Sequence, residues 1–91
     1  MGKYQIIVKP KAEQDFLKIE KSGDKSTIKK LEKIIIELTE SPYTGIGQPE
    51  QLKHHLTGYW SRRLNQKDRI IYQVIEYPEG AVVIVSALGH Y

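Results

Sequence analysis

The chain has 91 residues, with 14 Lys and Arg against 11 Asp and Glu for a net charge of +3, and it contains no cysteine. The missing thiol excludes disulfides, thiolate metal sites and a cysteine nucleophile, so any catalysis must run on carboxylate, imidazole, hydroxyl or cationic groups. The length predicts one domain over residues 1–91 with a single two-layer core, and the balance of 40% hydrophobic and 27% charged residues points away from both disorder and a membrane class.

The N-terminus runs straight into strand-like alternation, which predicts no signal peptide. Tyr4, Ile6 and Val8 alternate with polar neighbours, giving a first strand over residues 3–9 that Pro10 ends. Ala12, Phe16 and Ile19 then recur at helical spacing, with Leu17 widening the stripe, so residues 11–21 form a short amphipathic helix that Gly23 stops. Asp24 or Ser26 caps a second helix whose Ile28, Leu31, Ile34, Ile35 and Leu38 make a longer apolar face, ending before Pro42. Residues 41–49 hold two Pro and two Gly and read as an ordered loop. Three strands follow over residues 59–65, 69–77 and 81–88, with connections short enough to require an antiparallel meander. The nearly continuous apolar run from Ala81 to Val85 suits a central strand, with the first strand at an edge.

The predicted fold is α+β in the order β-α-α-β-β-β, an antiparallel sheet with an α-hairpin packed on one face. A hairpin covers one face only, so the other must be polar or bind something. Alternation puts Trp60, Arg62 and Leu64 on one side, and Tyr59, Ser61, Arg63 and Asn65 on the other. The apolar members look inward, which turns Arg63 outward. Trp60 and Tyr72 are expected in the core.

Charge is unevenly placed. All three arginines, Arg62, Arg63 and Arg69, lie in one stretch with Lys53 and Lys67, against only Glu50 and Asp68, a local balance of +3 equal to that of the whole chain. Arginine offers a planar fork of donors suited to phosphate. If about five cations met phosphates, single-strand binding would weaken with salt at a slope of about −3.5, too shallow for tight binding of free RNA.

Scattered carboxylates give no magnesium cluster, and His54, His55 and His90 without cysteine give no zinc spacing, so no metal or other cofactor is expected. Gly45 and Gly47 form only a Gly-x-Gly with no preceding strand or following helix, and no nucleotide loop. What remains is a carboxylate, Glu50, a set of cations, Lys53, Arg63 and Arg69, and a late histidine, His90. That is a minimal set for metal-free RNA cleavage, in which the 2′-hydroxyl is the nucleophile and the protein supplies base, cations and acid. Each member also has an innocent reading: Glu50 as a cap or ion-pair partner, Arg69 as a strand-edge charge, His90 as a frayed terminal residue.

The loop and strands together carry a resemblance. The run Ser-Pro-Tyr-Thr-Gly-Ile-Gly-Gln-Pro-Glu-Gln-Leu-Lys-His over residues 41–54, then Leu-Thr-Gly-Tyr-Trp-Ser-Arg-Arg-Leu over 56–64, Asp-Arg-Ile-Ile-Tyr over 68–72, and the terminal His90-Tyr91, resembles the YoeB/Txe family of toxins within the RelE superfamily. The resemblance implies a RelE-like fold and a ribosome-dependent mRNA endonuclease, the toxin half of a bacterial type II toxin–antitoxin pair working in the bacterial cytoplasm. It implies Glu50 as general base, His90 as general acid, Arg69 as the transition-state phosphate contact, Lys53 and Arg63 as phosphate-holding cations, and Tyr91 as the residue that orients substrate and helps the acid. Implied partners are a YefM/Axe-like antitoxin, the 70S ribosome with A-site mRNA, and a second copy in a homodimer, with no membrane. The first helix lacks the Trp and Tyr common in relatives, and Leu88-Gly89 replaces bulkier residues before the tail, departures that bear on antitoxin and dimer contacts. Two other readings stay open: a non-catalytic inhibitor on the same fold, such as the gyrase-targeting relatives, and a plain RNA-binding module.

Overall fold

A computed structural model describes residues 2–89 of the chain. Strand β1 (Gln5–Val8) leads into helix α1 (Pro10–Ser22), which starts one residue earlier than expected because Pro10 occupies its first turn. Proline lacks only an N–H that the first turn leaves unpaired anyway. Gly23 ends α1 at a left-handed φ of 76°. Asp24 then caps helix α2 (Lys25–Leu38), its carboxylate accepting the Thr27 N–H at 3.1 Å and the Thr27 hydroxyl at 2.8 Å.

The remaining strands are β2 (Glu50–Gln51), β3 (Tyr59–Arg63), β4 (Arg69–Ile75) and β5 (Ala81–Gly89) in a sheet ordered β1-β5-β4-β3-β2. β5 is central and β1 lies at an edge, as the apolar pattern predicts. The sheet is mixed, however, and not antiparallel throughout: β1 pairs parallel with β5, Ile6 opposite Val82. Helix α2 ends beside the start of β1, where the Thr39 carbonyl accepts the N–H of Lys3 at 2.6 Å and of Tyr4 at 2.9 Å, and the loop that follows carries the chain back along the sheet, so β2 runs opposite to β1. Three antiparallel steps later, β5 runs with β1. Two-residue β2, paired to β3 through Glu50–Ser61 and Gln51–Trp60, is an addition to the expected order. β3 stops at Arg63 because Leu64 and Asn65 turn back, the Asn65 side chain accepting the N–H of Lys67 and of Asp68.

Both helices bury their apolar stripes on one face. Ala12, Ile19, Leu31, Ile34 and Leu38 meet Leu64, Ile70, Tyr72, Val82, Ile84 and Ala87 in a single core. Tyr72 is fully buried, whereas Trp60 packs at the core's margin with its ring 5.1 Å from that of Tyr43. Residues 81–84 of β5 are held on both sides, but its second half is irregular. Register jumps between Ile71–Ser86 and Tyr72–Ile84, and again before Arg69–Gly89, so β5 carries bulges there.

Arg62 is the exception in the core. It points inward with Trp60 and Leu64, is 0% exposed, and uses all five N–H donors. Its Nε donates to the Tyr72 hydroxyl at 3.2 Å, Nη1 to Glu37 and to the Ile46 carbonyl at 3.3 Å, and Nη2 to the Ser41 carbonyl and the Thr44 carbonyl at 2.8 Å. One guanidinium thus gathers the loop after α2. Tyr72 adds a bond to the Pro42 carbonyl at 2.7 Å, Glu37 accepts the Ile46 N–H at 2.9 Å, and the Arg63 N–H donates to the Gly47 carbonyl at 2.6 Å. Tyr43 anchors the loop from outside by donating to Glu76, which also accepts from Tyr4. Burial first, and then the Glu76 carboxylate, push the Tyr43 hydroxyl up to about 12. The glycines serve this packing: a Cβ on Gly45, at φ 130°, would lie 1.8 Å from the Glu37 carboxylate.

A second buried charge, Asp15 on α1, is 1% exposed and accepts the N–H of Ala87 at 3.0 Å and of Leu88 at 3.3 Å while Lys11 neutralises it. Burial raises its pKa, but the Ala87 N–H, the hydrogen bond and charge of Lys11, and the Leu88 N–H outweigh burial and leave it below its ordinary 3.8.

Two expectations follow for stability. Arg62→Met removes all five donors and leaves the Glu37 carboxylate without its cation and three loop carbonyls without their donor, and equilibrium unfolding in denaturant should show a loss of about 3–5 kcal/mol; a loss under about 1 kcal/mol would count against the network. Asp15 has a folded pKa below its unfolded one, so its contribution is present above about pH 4 and lost as pH falls through that range. The stability gap between wild type and Asp15→Asn should therefore be wider at neutral pH than near pH 3, and a gap independent of pH would contradict the ionised pairing.

Candidate active site

The face of the sheet away from the helices carries several of the residues singled out from sequence. Glu50 on β2 lies opposite Ser61 on β3, Arg63 lies opposite Arg69 on β4, and Arg69 lies opposite Gly89 on β5. Directly opposed residues share a face, so Glu50, Ser61, Arg63 and Arg69 form one patch across three strands. Their grouping follows from local sequence. Pro49 and the anchored loop deliver Glu50 to the free edge of β3, and the tight turn at residues 65–68 doubles the chain back so that Arg69 meets Arg63.

Within the patch, Glu50 and Arg69 are in direct contact: Nη1 of Arg69 donates to the Glu50 carboxylate at 2.9 Å and to the Ser61 hydroxyl at 3.3 Å. The Glu50 side chain is 61% exposed and that of Arg69 20%. A pair this open to water is worth only about 0–1 kcal/mol, so an incoming phosphate can take over the guanidinium with little loss. The Arg63 guanidinium makes no hydrogen bond or ion pair among the described residues and is half-buried beside Arg69, its side-chain donors available to a ligand. Lys53 is exposed and precedes the 3-10 turn His54–Leu56. It stands just past β2, where the Leu52 N–H rejoins β3 through the Tyr59 carbonyl at 2.9 Å. Of the six residues singled out from sequence, the structure thus brings Glu50, Arg63 and Arg69 together and sets Lys53 three residues along the chain from Glu50. His90 and Tyr91 lie outside the described residues, directly after Gly89, the register partner of Arg69.

Arg62, counted with the basic patch, is buried on the opposite face and paired to Glu37, so it offers nothing to a ligand. Its alternation with Trp60 and Leu64 was the signal. Ser61 contributes a hydroxyl to Arg69 that only its outward register announced. Among the described residues no group of three or more His, Cys, Asp and Glu could hold a metal ion, and no helix is long and apolar enough to cross a membrane.

Comparison with known proteins agrees with this geometry. Residues 8–91 match the family model described as YoeB-like toxin of bacterial type II toxin–antitoxin system. Toxin YoeB of Escherichia coli O6:H1 is 38% identical over 68 residues, 75% of this chain and 77% of that protein. Among solved structures, the YoeB dimer from Staphylococcus aureus superimposes with a TM-score of 0.80 at 34% identity, covering 98% of this chain and 99% of that one. YoeB in the heterotetrameric YoeB–YefM toxin–antitoxin complex from the same species gives a TM-score of 0.77 at 35% identity, over 97% and 98%.

With Arg62 on the core side and Lys67 lining a pocket against α1 and α2, three of the five cations remain for a ligand on this face: Lys53, Arg63 and Arg69. At about 0.7 per phosphate contact, binding of a single-stranded RNA should fall with salt at a log–log slope near −2, shallower than the −3.5 expected from five. Fluorescence anisotropy of a labelled oligonucleotide across a salt series measures it, and a slope of −3.5 or steeper would mean that other cations join.

Proposed function

Because the chain belongs to the YoeB-like toxins of bacterial type II toxin–antitoxin systems, we propose that it is a ribosome-dependent mRNA endonuclease that cuts translated mRNA and so inhibits translation. The observation that carries this reading is the exposed Glu50–Arg69 pair on the open sheet face, with Arg63 opposite Arg69 and Lys53 three residues along the chain from Glu50. A carboxylate able to take a proton stands beside a guanidinium able to neutralise a phosphate.

In the proposed reaction Glu50 removes the proton of the ribose 2′-hydroxyl, whose oxygen attacks the adjacent phosphorus. Arg69, with Arg63 and Lys53, neutralises the charge that builds on the nonbridging oxygens. The bond from phosphorus to the 5′-oxygen breaks as His90 gives that oxygen a proton, and Tyr91 orients the substrate and assists the acid. The products are a 2′,3′-cyclic phosphate and a 5′-hydroxyl. The step balances without a cofactor, since RNA brings its own nucleophile. Three cations hold free RNA weakly, which favours a ribosome that presents the codon and sets the reaction in the bacterial cytoplasm. The proposed inhibitory partner is a YefM-like antitoxin, as in the relative's complex from Staphylococcus aureus, and the dimer of the same relative supports a homodimer.

Mapping mRNA 5′ ends on programmed ribosomes tests the assignment. Glu50→Gln and His90→Gln should each slow cleavage by about 10²-fold or more while antitoxin binding persists. Undiminished cleavage by both variants would overturn the acid–base reading.

A further inference from the structure

We propose that Asp15 is a positioning residue for the general acid, acting through the end of β5. The inference rests on the reading of His90 as that acid. Past Ile84, β5 has no register partner on β1, and Ala87 and Leu88 have none on β4 because of the bulges. Two consecutive amide donors would otherwise face the interior of the protein without a ladder. The Asp15 carboxylate takes both, from α1, at 3.0 and 3.3 Å, and stands in for a missing strand.

A carboxylate is a costly way to do this. It is 1% exposed and needs Lys11, at 2.6 and 2.7 Å, to offset its charge. An apolar residue would suit the core formed by Ala12 and Ile19 better, but it could not accept two N–H groups. The segment so fixed is the last before Gly89, which lies opposite Arg69 and has the conformational freedom of glycine. His90 follows at once in sequence. The course of β5 over Ala87 and Leu88 therefore sets where the chain stands at Gly89, opposite Arg69, the point from which the sequence continues to the proposed acid. Asp15 touches no reacting atom.

The deciding experiment uses ribosomes programmed with an mRNA that carries either the natural 5′-oxygen or a bridging 5′-sulfur at the scissile phosphate. A thiolate leaves without a proton, so a defect confined to the acid disappears with sulfur. Asp15→Leu, which removes the acceptor of both N–H groups, should slow single-turnover cleavage of the oxygen substrate by at least about tenfold, part of the ~10²- to 10⁴-fold a positioned acid supplies, and should leave the sulfur substrate unchanged. Asp15→Asn keeps one oxygen that can accept both N–H groups and should lose far less. Equal loss on both substrates, the mark of a merely structural role, overturns the proposal, as does no loss on either. Should Asp15→Leu fail to fold, Lys11→Gln at the exposed end of the pair carries the test, with a smaller oxygen-selective loss expected and an equal or absent effect overturning it. His90→Gln is run beside them: if sulfur fails to rescue it, the acid reading itself falls. If sulfur rescues His90→Gln but not Asp15→Leu, only the positioning role falls.

Discussion

Arg62 holds the loop on which the position of Glu50 depends. Its guanidinium sits on the core side of β3 and collects three carbonyls of residues 41–46, the Glu37 carboxylate and the Tyr72 hydroxyl. Burying a charge is expensive unless every donor is satisfied, and here all are. In exchange, a glycine- and proline-rich segment with no helix or strand of its own acquires one conformation. That segment ends at Pro49, and the next two residues pair with β3 to put Glu50 opposite Ser61. The core side of β3 thus secures the entry of the strand whose carboxylate lies on the other side.

The contrast between the two arginine–glutamate pairs follows from burial. Arg62 with Glu37 is a closed contact whose arginine is wholly shielded, and it fixes structure. Arg69 with Glu50 is open to water and weakly held, and it can be exchanged. A site that must accept a polyanion and then release it gains from the second kind. Rigidity is concentrated beneath the sheet, in Arg62, Asp15 and the apolar stripes, while the groups facing the substrate keep their freedom. Ser61, buried on the open face and bonded to Arg69, is the one described contact besides Glu50 that restrains the guanidinium.

Much of this could be read in the residues. Helical spacing located both helices, Gly23 and Asp24 marked their junction, and the apolar run of β5 announced a central strand. Alternation on β3 separated Arg63 from Arg62 correctly. The direction of β1 could not be read, because a period of two fixes which face a strand buries but not which way it runs beside its neighbour. Two-residue β2 has no periodicity to detect. The bulges of β5 leave no mark in a run of Val, Ile and Ala; only the buried Asp15, stranded among apolar residues of α1, hints that backbone donors need an acceptor there. Arg62 was counted as surface charge because composition sums charges without regard to face.

The chemistry attributed to this face turns on one atom of the substrate, the 2′-oxygen next to the scissile phosphate. Single-turnover cleavage on ribosomes programmed with an mRNA lacking that hydroxyl at a single nucleotide examines it directly. If Glu50 activates the 2′-hydroxyl, the 2′-deoxy substrate stays intact under conditions in which the matched ribose substrate is cut to a 2′,3′-cyclic phosphate. Cleavage of the deoxy substrate at the same bond and at an undiminished rate would contradict that role, because the nucleophile would then have come from elsewhere.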